Sequence, residues 1–279
     1  MNRLLDFPAH EFRPDVAESV IVTWLRDYAT QAGVKGFVVG VSGGIDSAVT
    51  SVLCALTGLE THVLDMPIHQ APDQASRSAG HIRDLERRFP DQMKAHFVDL
   101  SQVYDVFCHA LPPLEVVPDE SEGLALANSR ARLRMTTLYA LAQRSRCLVA
   151  GTGNRVEDFG VGFYTKYGDG GVDLSPIADL MKTEVFQLGA HLQVRSDILT
   201  APPTDGLWGD DRTDEDQLGA TYPELEWAMR LRAVHPEGCP EGLTQAQEDA
   251  LAAFDRFHRA NEHKMKPIPV CLMPESVRQ

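Results

Sequence analysis

At 279 residues the chain is long for one domain but within the range of an α/β fold that shares a single core. Its 43% hydrophobic and 24% charged residues mark a folded globular protein and speak against disorder or a fibrous fold. A formal charge of −14, from 40 acidic against 26 basic residues, speaks against nucleic acid or an anionic membrane surface as a partner.

The five cysteines, Cys54, Cys108, Cys147, Cys239 and Cys271, are odd in number and include no Cys-x-x-Cys pair, which argues against a disulfide framework and against a thiolate zinc site. Cys54 and Cys147 sit in apolar runs and are expected in the core. The histidines, among them His62, His69 and His81, lack metal-ligand spacing and are assigned to surface or core. The first residues, Met1 to Pro8, lack the apolar stretch of a signal peptide, and no window approaches the ~20 apolar residues of a membrane span. The expected compartment is the cytoplasm.

Asp15 and Glu18 have capping-box spacing ahead of Val20, Ile21, Trp24, Leu25 and Tyr28, which predicts a helix over 15–31 closed by Gly33. Residues 37–41 are short, β-branched and bounded by glycines, the pattern of a buried strand. The alternation continues with a helix over 46–56, a strand over 61–64, a helix over 73–89, a strand over 96–98 and a helix over 103–110. Prolines and acidic residues make 111–123 a surface loop, followed by a helix over 124–145 and a strand over 147–150. From 151 to 219 glycine, proline and aspartate dominate, so this region is expected as active-site loops with one firm helix over 183–192. Helices over 222–234 and 244–263 close the chain. Strands alternating with helices predict a doubly wound parallel sheet with helices on both faces, within one domain carrying extra N- and C-terminal helices.

Ligands of open parallel sheets bind beyond the carboxyl ends of the strands, where strand order reverses. Gly40-Val41-Ser42-Gly43-Gly44-Ile45-Asp46-Ser47 occupies that place after the first strand. Adjacent glycines let the backbone amides approach an anion at the mouth of a helix, Ser42 and Ser47 add hydroxyls, and Asp46 offers a hard oxygen for magnesium. The loop has neither the lysine of a Walker A motif nor the glycine order of a dinucleotide fold.

Ser-Gly-Gly-Ile-Asp-Ser resembles the pyrophosphate loop of the N-type ATP pyrophosphatases, which implies an adenine nucleotide alpha hydrolase-like fold and adenylation of an acceptor. Within that group the chain is similar to NAD synthetases. The likeness runs through Ala131-Arg132-Leu133-Arg134-Met135, Gly151-Thr152-Gly153-Asn154 with Glu157, the segment 165–173, Pro176 to Leu180, Lys182, Pro203-Thr204, Asp214 to Gly219, and Glu262-His263-Lys264.

The resemblance implies an ammonia-dependent ligase that adenylates the nicotinate carboxylate of deamido-NAD and amidates it, with Mg2+ as cofactor and a homodimer as the assembly. It implies that ATP is bound by residues 40–47, Thr152, Lys182 and Thr204, with Asp46, Lys182 and Thr204 catalytic. Deamido-NAD would be held by Arg132, Lys166, Asp173, His263 and Lys264. Asp46 and Glu157 would hold the metal, with Asp158 the alternative to Glu157 because the spacing to Lys166 is one residue longer than is common in the family. Here Asp205 follows Pro203-Thr204 where the family usually has alanine, and Met265 stands in place of a basic residue. A first strand beginning near Phe37 leaves no room ahead of it for an amidase domain, so free ammonia is the expected nitrogen source. Segments 202–214 and 165–171 are candidate lids. Two other readings are weaker: an RNA-thiolating enzyme needs a cysteine pair and a basic surface, and a non-catalytic nucleotide sensor has no use for Asp46, Glu157, Lys182 and Thr204 together.

Overall fold

The computed structural model describes residues 11–70, 72–112, 120–204 and 213–278. Strands β1 (Gly36–Gly40), β2 (Glu60–Asp65), β3 (Met93–Phe97) and β4 (Leu148–Val149) form one parallel sheet in the order β3-β2-β1-β4. Helices α2 (Ile45–Leu56) and α3 (Pro72–Arg88) connect the first three strands, while α4 (Ser101–Ala110) and α5 (Glu120–Ser145) lie between β3 and β4. The chain therefore moves outward from β1 to β3 and returns to β1's other side for β4.

Both faces of β1 are covered, which is why Phe37, Val38 and Val39 are all buried, as in parallel strands generally. Phe37 and Val39 face α1 (Pro14–Ala32), α2, α3 and α6 (Lys182–His191), packing with Leu25, Leu53, Leu85 and Leu188. Val38 faces the other way, toward Tyr104 of α4 and Ala142 of α5. Full burial of each such leucine or valine is worth about 1.5–3 kcal/mol, so the two apolar layers hold the sheet in place. Beyond α7 (Ser196–Leu199) and α8 (Asp214–Leu218), α9 (Tyr222–Val234) and α10 (Gln245–Met265) form a separate apolar cluster. In it Leu225, Leu231, Leu251 and Phe254 pack on Val156 and Val161 of a π-helical turn, Val156–Val161.

Three expectations are corrected. Helix α1 begins with Pro14 in its first turn and Arg13 as the N-cap, so Asp15 lies inside the helix and is not its cap. Strand β3 starts at Met93, not at 96, because it is an edge strand paired only with β2, and Phe97 is solvent-exposed. Helix α5 starts at Glu120 and runs through Gly123, a glycine costing about 1 kcal/mol inside a helix, so the predicted loop is shorter. The π-helical turn falls in the region expected as mainly active-site loops. Residues 113–119 of the predicted loop, and 205–212 of one candidate lid, lie outside the described residues.

The fold also buries a histidine that no site uses. His81 of α3 lies 2.9 Å from the Ser51 hydroxyl of α2, and burial pushes its pKa from 6.5 down to about 4. The folded protein then keeps His81 neutral while the unfolded chain takes up a proton. Its contribution to stability is full above the unfolded value, falls as pH drops, and is lost below the folded one, a change of about 3 kcal/mol. Urea unfolding at pH ~7 and pH ~4.5 should therefore show a smaller pH-dependent loss in His81→Gln than in the parent chain, and equal losses would refute the assignment.

Candidate active site

Strand order reverses between β1 and β4, so the loops leaving these two strands open a crevice at their carboxyl ends. The loop after β1 turns at Gly43, whose φ of 84° is left-handed and suits glycine. It is braced by hydroxyls: Ser47 Oγ donates to the Gly44 carbonyl at 3.1 Å and accepts the Ser42 amide at 3.2 Å. Gly44 caps α2 with no side-chain hydrogen bond, so the first amides of the helix face the crevice as an anion site.

The other wall is the loop after β4. Asn154 is fully buried; its amide donates to Asp46 Oδ1 at 3.2 Å and its oxygen accepts the Glu157 N–H at 3.1 Å. Between the walls stands Lys182, the first residue of α6, with only 3% of its side chain exposed. Its ammonium donates to Asp46 Oδ2 at 2.6 Å and to Glu157 Oε1 at 2.8 Å. Burial opposes that charge, but the two facing carboxylates more than offset it, and the Lys182 pKa is raised. Tyr222, at the start of α9, donates to Glu157 Oε1 at 2.5 Å, and its ring lies 4.8 Å from the Lys182 ammonium.

Asp158 stands apart from this triad. Its carboxylate packs over Gly153, where an added Cβ would come within 2.2 Å of its oxygens and force the carboxylate to move. Burial, then the negative charges of Glu157, Asp169 and Asp46, push its pKa up to about 8. The site thus holds more carboxyl groups than Lys182 neutralises. Converging hard oxygens with excess negative charge are the donor set that suits a magnesium ion, and Asp46 and Glu157 supply the pair that already shares a cation.

A cavity of about 1000 Å³ joins these groups to the rest of the predicted site. It is lined by residues 40–47, Thr152, Glu157, Lys182 and Thr204, and on another side by Arg132, Lys166, His263 and Lys264. The loop 165–171 is tied to α5 by Thr165 Oγ1, 2.6 Å from Asn128, and by Arg132, which donates to the Lys166 carbonyl at 3.3 Å. Asp173 does not line the cavity. Its carboxylate accepts the Val149 amide at 2.8 Å and the Tyr139 hydroxyl at 3.1 Å, so it anchors β4 to α5. Sequence reasoning gave no role to Asn154 or Tyr222. Asn154 had a signal in its position after β4, whereas Tyr222 reaches the site only because α9 packs there.

The sequence profile of NAD synthase matches residues 17–268. The chain belongs to the NAD synthase family. It is 38% identical to the NH3-dependent NAD+ synthetase of Methanosarcina mazei, covering 91% of this chain and 96% of the relative. It is 40% identical to that of Carboxydothermus hydrogenoformans, covering 89% and 93%. Among solved structures it resembles the NMN synthetase of Francisella tularensis, with a TM-score of 0.77, 31% identity, and coverage of 95% of this chain and 99% of the other. The doubly wound fold expected from the sequence is thus that of the NAD synthase family.

Removing the Lys182 ammonium leaves Asp46 and Glu157 facing each other without a counter-charge. Lys182→Met should lower stability by about 3 kcal/mol or more. A chemical unfolding curve superimposable on the parent's would show that the triad carries no such weight.

Proposed function

We propose that this member of the NAD synthase family makes NAD from deamido-NAD, ATP and ammonia as a cytoplasmic homodimer. The observation that carries this reading is the joining of the pyrophosphate-type loop and the Asp46–Lys182–Glu157 triad to a cationic rim within one cavity. The names of the relatives at 38% and 40% identity support ammonia as the nitrogen source.

The amides at the start of α2, with Ser42 and Ser47, would hold the β- and γ-phosphates of ATP. Lys182 and Thr204 would fix the phosphate oxygens in line with the attacking acid. Asp46 and Glu157 would hold a magnesium ion, which would supply charge neutralisation to the triphosphate. Arg132, Lys166, His263 and Lys264 would seat the acid substrate so that a nicotinate carboxylate oxygen reaches the α-phosphorus. The bond from that oxygen to phosphorus forms as the bond to the β-bridging oxygen breaks, and pyrophosphate leaves. Ammonia then adds to the acyl carbon, a proton is lost to solvent, and AMP departs.

The likeness to an NMN synthetase favours a second reading, in which nicotinate mononucleotide is the acid amidated by the same steps. The two differ only in whether the cavity must accommodate an adenylate half. Incubation with ATP, magnesium, ammonium and either acid, followed for amide product, AMP and pyrophosphate, should give the higher kcat/KM with deamido-NAD. A preference for the mononucleotide selects the second reading, and no amide from either acid overturns both. Asp46→Asn should lower turnover by about 100-fold or more while its circular dichroism stays native; undiminished turnover would show that Asp46 is misassigned.

A further inference from the structure

The opposite end of the sheet carries a second cluster of polar groups that the proposed reaction does not use. Glu60 and His62 lie on β2, Lys94 and His96 on β3, and Cys147 immediately before β4. The register pairs His62 with Val38 and Lys94, Gly36 with Glu60, and Phe37 with Leu148, so these side chains share one face near the start of the sheet, His62 and Lys94 in one row and Glu60, Gly36 and Cys147 in the row before it. Gly36 brings no side chain to that row, and Cys147 meets Glu60 and His62 across the gap. A carboxylate oxygen of Glu60, a ring nitrogen of His62 and Cys147 Sγ all lie within 4.8 Å of one another. In sequence these residues lack any ligand spacing, which is why His62 was assigned to surface or core; only the parallel register brings them together.

We propose that Glu60, His62 and Cys147 bind a borderline divalent transition-metal ion, zinc(II) foremost, with His96 as the outer partner of His62. Mixed oxygen, nitrogen and sulfur donors suit such an ion better than magnesium or calcium. Bond lengths of about 2.0–2.3 Å place tetrahedral ligand atoms roughly 3.3–3.8 Å apart, so the cluster needs shifts of about 1 Å. His62 Nε2 faces Glu60 Oε1 at 2.6 Å, and His62 Nδ1 faces His96 Nε2 at 2.9 Å. With the metal on Nε2, Nδ1 keeps its proton and donates it to His96, the arrangement that fixes a ligating imidazole. His96 Nε2 is placed to accept that proton.

A cysteine binds such an ion as its thiolate, so the bond from Cys147 forms with release of the thiol proton to solvent. Lys94 now pairs with Glu60 at 2.8 Å, but half of its side chain is exposed, so it swings into solvent when the carboxylate turns to the metal. Water completes the coordination. The site lies a strand length, roughly 13 Å, from the catalytic loop. It would bind β4 to β2 across β1 and act on stability.

Cobalt(II) reports directly on the ligands. Chelator-treated protein carrying Asp46→Asn, which disables the magnesium-type site, is titrated with cobalt(II). One equivalent should give tetrahedral visible bands and a near-ultraviolet thiolate-to-cobalt charge-transfer band, both lost on adding zinc(II). Cys147→Ser should abolish the charge-transfer band, and His96→Gln should lower cobalt affinity by about tenfold or more. Absence of the band in the protein with Cys147 intact overturns the proposal whatever the variants do, and so does its survival in Cys147→Ser.

Discussion

The interaction on which the rest of this site depends is the buried ammonium of Lys182 held between Asp46 and Glu157. A lysine with 3% of its side chain exposed is costly to desolvate, and it stays charged only because two carboxylates face it within hydrogen-bonding distance. Those three residues come from the start of α2, the turn after β4 and the start of α6, with Asp46 and Lys182 136 positions apart in sequence. The ion triad is therefore satisfied only when the sheet order, the crossover and the packing of α6 on α2 are all in place. Asn154 and Tyr222 extend the same condition, since each hydrogen-bonds a member of the triad.

The π-helical turn divides the labour of two adjacent acids. Glu157 reaches Lys182, whereas Asp158 lies over Gly153, where the space left by a missing side chain admits it. Lys182 acts against burial on Glu157 and holds its pKa down, while burial and like charges raise that of Asp158. One carboxylate is thus kept ionised beside Asp46, and its neighbour takes a proton readily near neutral pH. This geometry favours Glu157 over Asp158 as the partner of Asp46. The π-turn itself rests on the α9–α10 cluster through Val156 and Val161, which gives the C-terminal helices a role at the site.

Local signals made much of this legible in the sequence. A β-branched run bounded by glycines located β1, the strand-to-helix alternation located β2 and placed α2, α3 and α9 to within a residue or two, and the glycine-serine loop marked the crevice. What escaped depended on contacts between distant segments. Strand β3 is paired on one side only, so its residues alternate weakly and its start was misplaced. The π-turn has no period of its own and is held from outside. Asp173, a substrate ligand by the family resemblance, has a carboxylate that also accepts the Val149 amide, a contact that no local pattern announces. Glu60, His62 and Cys147 carry no motif and meet only through strand register.

The two halves of the cavity treat charge differently, and this bears on what they can hold. At the loop, the charge of Lys182 is balanced by carboxylates, so the groups left to meet an anion there include backbone amides and hydroxyls. On the rim, Arg132 donates to the Lys166 carbonyl, Lys166 to the His263 carbonyl, and Lys264 to the Tyr164 carbonyl. A carbonyl acceptor fixes a cation's position without cancelling its charge, so an anion entering there replaces a neutral hydrogen-bond partner of each of these cations. The net negative charge of the chain would repel such a ligand at long range, so its capture falls to these three cations at short range, inside the Debye length.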